Sequence, residues 1–222
     1  MKRTALITGA SKGIGKAIAA QLSKEGYAVI TPTHTELDLS SDASIKEFIE
    51  KNKETRFDVI INNAGINEIN EIDQITDDEI EQTMNINLIA PMKLLRAFVP
   101  AMKENYYGKI VNIGSIWGIV SKPGRVTYSA AKHGIHGITK TLAVELAAHN
   151  ILVNTVCPGF TLTELTRKNN TGEQIAQIAE TIPMGRMAEP KEIADAVCYL
   201  VSERNTYITG QLIAIDGGYT SI

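Results

Sequence analysis

Two kinds of apolar run alternate along this chain. Ala5-Leu6-Ile7, Tyr27 to Ile30, Val59 to Ile61, Lys109 to Ile113, Leu152 to Val156 and Gln211 to Ile215 are short, mostly β-branched and apolar on both parities. Such runs suit strands covered on both faces. Between them lie longer stretches of helical period, near Ile14 to Glu25, Ser44 to Asn52, Asp77 to Asn105, Tyr128 to His149 and Pro190 to Ser202. Strand followed by helix throughout predicts an α/β fold, a Rossmann-type doubly wound parallel sheet in three α/β/α layers. One stretch breaks the pattern. Gly159 to Met184 is polar and rich in threonine, and reads as an irregular segment after a strand, the usual place for a substrate-covering loop.

Composition narrows this to a single domain over residues 1–222. A chain of 222 residues that is 44% hydrophobic fills one good core and leaves too little for a second. No repeat, low-complexity tract or Pro/Gly/Ser-rich linker marks a boundary. With 21% charged residues and a formal net charge of −3, the chain has neither a disordered acidic tail nor a basic face for nucleic acid, which is excluded as an expected partner. Cys157 and Cys198 read as buried free thiols rather than a disulfide framework. No signal-peptide-like apolar segment follows Met1-Lys2-Arg3-Thr4, and no run approaches the ~20 apolar residues of a membrane span. The expected location is cytoplasmic, with no membrane partner.

Chemistry first appears at the first turn. Thr8-Gly9-Ala10-Ser11-Lys12-Gly13-Ile14-Gly15 follows a strand and opens a helix. Glycines stand where the backbone turns tightly and approaches a ligand closely, and the unpaired N–H groups at the helix amino end favour a pyrophosphate. A glycine-rich βα turn alone is a weak signal, since a tight turn without any ligand has the same look. The spacing Gly-x-x-x-Gly-x-Gly, however, resembles the dinucleotide-binding turn of the short-chain dehydrogenase/reductase family. Asn62-Asn63-Ala64-Gly65 after the Val59 to Ile61 strand, and Asp38-Leu39 at the end of another short strand, resemble the family segments beside the adenosine. That resemblance assigns Gly9, Ser11, Lys12, Gly13, Ile14, Gly15, Asp38, Leu39, Asn63, Ala64 and Gly65 to the cofactor.

Tyr128-Ser129-Ala130-Ala131-Lys132 sets a phenol and an ammonium at i and i+4, one above the other on a helix face. A phenol of reference pKa about 10 is a poor acid-base group at neutral pH, and a nearby cation stabilises its phenolate and lowers that value. Tyr-x-x-x-Lys is common by chance; its company is what counts. Ser115 ends Asn112-Ile113-Gly114-Ser115 at the family's spacing upstream of Tyr128, and by that resemblance donates to a carbonyl oxygen. Asn87, in Asn85-Ile86-Asn87-Leu88, sits mid-helix, where asparagine usually needs a reason. In the family the matching Asn binds a water through its backbone, so that a proton passes from the tyrosine by way of the lysine to solvent. Asn87 rather than Asn85 fits, because it precedes Leu88. The implied catalytic set is Asn87, Ser115, Tyr128 and Lys132, with Tyr128 and Lys132 also touching the cofactor and no metal involved. Pro158-Gly159 with Thr161 and Thr163 resembles the segment that holds the nicotinamide carboxamide, and Ile208-Thr209-Gly210-Gln211 through Asp216-Gly217-Gly218 resembles the family's closing strand. The resemblance spans nearly the whole chain and implies hydride transfer between a nicotinamide and a ketone or secondary alcohol.

NAD is usually recognised by an acid at the end of the second strand. Here Thr31-Pro32-Thr33-His34 follow Ala28-Val29-Ile30, and Lys12 stands before Gly13, where family members using NADP often carry a base. NADP(H) is therefore favoured over NAD(H). The passage to Asp38 is short where the family usually inserts a helix, which leaves Glu36 as an alternative ribose ligand. In scaffold the chain is similar to 3-oxoacyl-(acyl-carrier-protein) reductases, notably over Asn154 to Gly159 and from Ile182-Pro183-Met184-Gly185-Arg186 onward. Those reductases read an acidic carrier protein with basic residues, and the matching positions here hold Tyr106 and His149. A 3-oxoacyl thioester and a small sugar or polyol carbonyl compound stand as equal expectations, beside the different reading of an NADP-binding scaffold or sensor without chemistry. The helices Asp77 to Asn105 and Tyr128 to His149 match those that pair between family subunits, so a homotetramer, or else a homodimer, is expected.

Overall fold

Strand parity decides how this chain layers. In the computed structural model, which describes residues 2–222 apart from the Asn169 side chain, the elements are β1 (Thr4–Ile7), α1 (Gly13–Lys24), β2 (Ala28–Ile30), α2 (Asp42–Lys51), β3 (Val59–Asn62), α3 (Asp77–Met84), α4 (Ala90–Glu104), β4 (Gly108–Ile113), α5 (Val126–Leu146), β5 (Ile151–Pro158), α6 (Glu164–Asn169), α7 (Gly172–Glu180), α8 (Pro190–Val201) and β6 (Leu212–Ile215). The strands form one parallel sheet in the order β2-β1-β3-β4-β5-β6. Leu6, Ile60, Ile110 and Val153 face one way and pack against Phe48 of α2, Leu94 and Phe98 of α4 and Leu146 of α5. Their neighbours Ala5, Ile7, Val59, Ile61, Val111 and Ile113 face the other way, against Ile18 and Leu22 of α1 and Val197 and Val201 of α8. Alternate residues thus feed two cores, one on each face, and the sheet becomes the middle of three layers.

Polar side chains tie the central strands across this apolar stack. Asn62 Nδ2 donates to Asn112 Oδ1 at 2.8 Å, and Asn112 Nδ2 donates to Thr139 Oγ1 at 2.9 Å. Thr139 Oγ1 in turn lies 2.7 Å from Thr155 Oγ1. The chain of bonds joins β3, β4, α5 and β5, and fixes the helix that carries Tyr128 against the strand that leads to Ser115.

Three expectations need correction. The single helix Asp77 to Asn105 is two helices, α3 and α4, joined by one π turn over Asn85–Ile89. Pro91, in the first turn of α4, has no N–H to give the carbonyl of Asn87 four residues before it, so the regular ladder fails there. The stretch Gly159 to Met184 is not irregular throughout, because it holds α6 and α7, each opened by a threonine whose hydroxyl accepts a backbone N–H. Asp38-Leu39 does not end a strand. Residues 31–41 form a tight turn in which Glu36 and Leu37 donate to the Thr33 carbonyl, and Leu37 and Leu39 are buried in the α2 and α4 core. The inserted helix is indeed missing, and β2 is one edge of the sheet.

Candidate active site

The sheet grows outward from β1 to β2 and then resumes on the other side of β1 with β3, so the carboxyl ends of β1 and β3 open a crevice between diverging connections. The first turn is held there by its neighbour. Thr8 Oγ1 accepts the N–H groups of Asn63 and Ala64, both at 3.1 Å, while Asn63 Nδ2 donates to the carbonyls of Thr8 and Gly9, both at 2.9 Å. Gly9 has φ +66°, and a Cβ there would lie 2.7 Å from the Cα of Ala64, so only glycine fits. α1 then begins at Lys12 with no side-chain cap and no acid in its first turn. Ser41, Thr76, Thr163 and Thr171 do cap α2, α3, α6 and α7. α5 also opens without a cap, but at α1 the glycine turn stands beside the free N–H groups, and together they make a donor set that fits a pyrophosphate.

A cleft of about 880 Å³ runs from this turn across the carboxyl ends of the strands. Gly9, Ser11, Lys12, Gly13, Ile14, Gly15, Asp38, Leu39, Asn63, Ala64, Gly65, Pro158, Gly159, Thr161 and Thr163 all line it, together with Ser115, Tyr128 and Lys132. Asn87 does not. It is 1% exposed and lies behind the wall, where its Oδ1 accepts from Ile66 N at 2.9 Å and its Nδ2 donates to Ile66 O at 2.7 Å. A Cβ on Gly65 would come within 3.1 Å of Asn87 Oδ1 and 3.6 Å of Lys132 Nζ, so these three residues are in close register. Glu36 stays outside the cleft, because its carboxylate turns back to accept from the Thr33 N–H at 2.8 Å and the Thr33 hydroxyl at 2.9 Å. Asp38 does line it, but accepts from the Ser40 N–H at 2.9 Å and hydroxyl at 2.7 Å, with His34 Nδ1 3.9 Å away. Tyr106 and His149 lie 5.6 Å apart between centroids with their rings tilted by 39°, just before β4 and β5, at the amino ends of these strands and so opposite the cleft.

Ser115 follows β4, 6% exposed, and its Oγ accepts from Trp117 N at 3.1 Å. Lys132 donates from Nζ to the carbonyl of Ile113 at 2.7 Å, with Nζ 5.5 Å from the Tyr128 ring centroid. The electrostatics differ from expectation. Burial pushes the Tyr128 phenol above its ordinary value, and the opposing pulls come from the Ser115 hydroxyl and the Arg125 charge rather than from Lys132. Burial also lowers the Lys132 ammonium to about 8, because a desolvated cation gives up its proton more readily. Beneath them Cys157 Sγ lies 3.4 Å from His136 Nε2, with burial holding the thiol up at about 11 and the imidazole down at about 4. Among the cleft residues that escape a reading of the sequence, three bear on what the cleft can hold. Trp117 and Phe160 pack edge to face at 6.0 Å and carry a signal, since each is an aromatic residue just past a strand end that holds a motif. Arg125, three residues before Tyr128, carries none.

Residues 30–220 match a family model described as enoyl-(acyl carrier protein) reductase, and residues 3–36 match the short chain dehydrogenase model. The 3-oxoacyl-(acyl-carrier-protein) reductase of Haemophilus influenzae is 38% identical over 97% of both chains, and that of Rickettsia bellii 39% identical over 97% of this chain and 96% of its own. Among solved structures, ElxO with NADP bound superposes with a TM-score of 0.93 at 31% identity, and 4-hydroxyisoleucine dehydrogenase complexed with NADH with 0.93 at 30% identity, each over 100% of both chains. With family models spanning both ends of the chain and relatives aligned almost end to end, the chain belongs to the short-chain dehydrogenase family, oxidoreductases that interconvert carbonyl and CH–OH groups.

Proposed function

We propose that this enzyme reduces a small carbonyl compound with NADPH, and that Ser115, Tyr128 and Lys132 perform the proton chemistry. The observation that carries this reading is that those three side chains share one cleft with the uncapped amino end of α1. The dihydronicotinamide, when bound, supplies hydride to the carbonyl carbon. Ser115 donates a hydrogen bond to the substrate oxygen and orients it. The Tyr128 phenol, kept protonated by burial, gives its proton to that oxygen as charge develops. Lys132, tied to the Ile113 carbonyl, places its cation beside the phenol. Asn87 has both side-chain groups committed to Ile66, and its own carbonyl has no N–H to accept from at residue 91, which is proline; we assign to that carbonyl the water that links Lys132 to solvent.

Preference for NADP(H) rests on charge. Lys12 is exposed and lines the cleft, as do Thr33 and His34, Glu36 is turned away, and among the described residues Asp38 is the one acid lining the cleft, already held by Ser40. A lysine near a 2′-phosphate at the surface contributes about 1 kcal/mol or less, and the absence of a repelling free acid adds to it. Steady-state assays of ketone reduction test both claims. NADPH exceeds NADH in kcat/KM by roughly tenfold or more, Lys12→Ala narrows that ratio mainly through KM, and Tyr128→Phe loses about 10²-fold or more in kcat while still binding cofactor. Better use of NADH, or near-normal turnover by Tyr128→Phe, removes the corresponding claim.

A 3-oxoacyl thioester is the second reading, favoured by the two reductases named above; against it, the pair Tyr106 and His149 offers no arginine to an acidic carrier. Assembly as a homotetramer belongs to the same proposal. It is supported by a groove of about 870 Å³ between α4 and α5, lined by Leu95, Val99, Ile138 and Leu142 and fringed by Lys93, Arg96 and Glu145.

A further inference from the structure

Arg125 is anomalous among the arginines. Arg3 pairs with Asp58 and Glu203, Arg56 with Asp58, Arg167 with Glu189 and Arg186 with Glu192, while Arg96 and Arg204, which have no ion pair, are exposed to water. Arg125 lines the cleft with Ser115 and Tyr128, and among the described residues it has no carboxylate within ion-pair distance. Its Nε and Nη1 are enclosed and make no hydrogen bond. A guanidinium stays charged in proteins, and enclosing its donors without acceptors costs free energy that an unliganded structural role does not repay. The one ionisable group that its charge touches is the Tyr128 phenol, and burial lowers the affinity of Arg125 for its own proton.

Its position separates it from the cofactor phosphates. Arg125 belongs to the connection between β4 and α5 that also carries Ser115, whereas the phosphate turn belongs to the β1 to α1 connection, two strands away in the sheet. An anion on Arg125 is therefore part of whatever sits over Tyr128. Trp117 and Phe160 offer that molecule an apolar wall, closed behind by Tyr219 at 5.9 and 5.4 Å from their ring centroids.

We infer that Arg125 anchors the substrate, and that the preferred substrate is a short oxo acid whose free carboxylate it binds, rather than a neutral ketone, a polyol or a thioester. Arginine suits a planar carboxylate because its donors meet both oxygens in a fixed geometry. The inference rests on the reductase reading above, and a binding measurement tells the two apart. Trp117 is the only tryptophan in the chain and lines the cleft, so its emission reports occupancy directly. Protein loaded with NADP⁺ is titrated with 3-oxobutanoate and with its methyl ester. The wild type binds the acid at least tenfold more tightly than the ester; Arg125→Met brings that ratio close to one, and Arg125→Lys recovers part of it. A merely structural arginine moves both affinities together and leaves the ratio alone. Equal affinity for acid and ester in the wild type, or discrimination that survives in Arg125→Met, overturns the inference. An Arg125-dependent preference without NADPH oxidation by any oxo acid or ketone assayed upholds the anchor and removes the reductase reading instead.

Discussion

Lys132 shows what a buried charge does to the protein that holds it. Its ammonium titrates near 8 in the fold, against 10.5 in the open chain. Between those values the unfolded chain binds more protons than the native state, so this residue makes stability rise with pH across that window, and its full penalty is present below pH 8. Lys132→Met removes the effect. We expect the wild type to gain on the variant by on the order of 3 kcal/mol as pH goes from 8 to 10.5, as read by urea titrations at several pH values. Parallel curves would show that Lys132 is not desolvated. Subtracting the variant also removes the opposite contribution of Tyr128, whose raised value acts above pH 10. The Tyr128 and Lys132 pair is legible in the sequence because i and i+4 spacing is a local geometric fact, and Ser115 because it ends an apolar run. The direction of the Tyr128 shift is not, since it depends on how much water the fold excludes. Arg125 is silent for a related reason: what distinguishes it is enclosure without a partner, and that is a property of three dimensions.

At the scale of elements, the π turn between α3 and α4 places a helical residue against a loop. Asn87 closes two hydrogen bonds around Ile66 and so joins that turn to the segment after β3 that lines the cleft. Asn87→Ala leaves a donor and an acceptor of Ile66 unpaired in a half-buried setting, a loss of about 2 kcal/mol, or roughly 5 °C in Tm for a domain of this size. A thermal melt checks it, and an unchanged Tm means that water replaces the side chain without loss. Hydrophobic period locates α3 and α4 but passes over their junction, because one inserted residue shifts phase too little to see against ordinary scatter. α6 and α7 were hidden differently. Thr171-Gly172-Glu173-Gln174 has the spacing of a capping box, and the structure closes it in both directions, yet so polar a stretch reads as loop when threonine is counted by composition instead of by position.

For the whole molecule, the doubly wound sheet was the most legible feature, because each strand declares burial on both faces and each helix separates two such runs. What sequence could not convey was the shape of residues 31–41, where the family's usual element is gone and side chains of Thr33 and Glu36 shape the turn. The groove between α4 and α5 sets the prediction at this scale. Met92, Ile138 and Leu142 line this groove still partly open to water, and such apolar side chains gain about 25 cal/mol for each Å² they hide, so a second copy covering the groove is favoured. Sedimentation at micromolar concentration is expected to show a tetramer, and Leu142→Glu to shift it toward smaller species; a monomeric wild type would leave the groove without a partner. One feature of the active-site cleft reaches beyond catalysis. Its walls come from segments scattered between Thr8 and Thr166, so no part of the unfolded chain resembles it. Cofactor therefore holds only the native form, and at a hundred times its Kd it suppresses the open population about a hundredfold, some 2.7 kcal/mol. Proteases that clear open chains meet fewer of them where the nucleotide cofactor is abundant. The lifetime of the enzyme in a cell then follows the size of its nucleotide pool, and starvation for that pool removes the catalyst along with the fuel.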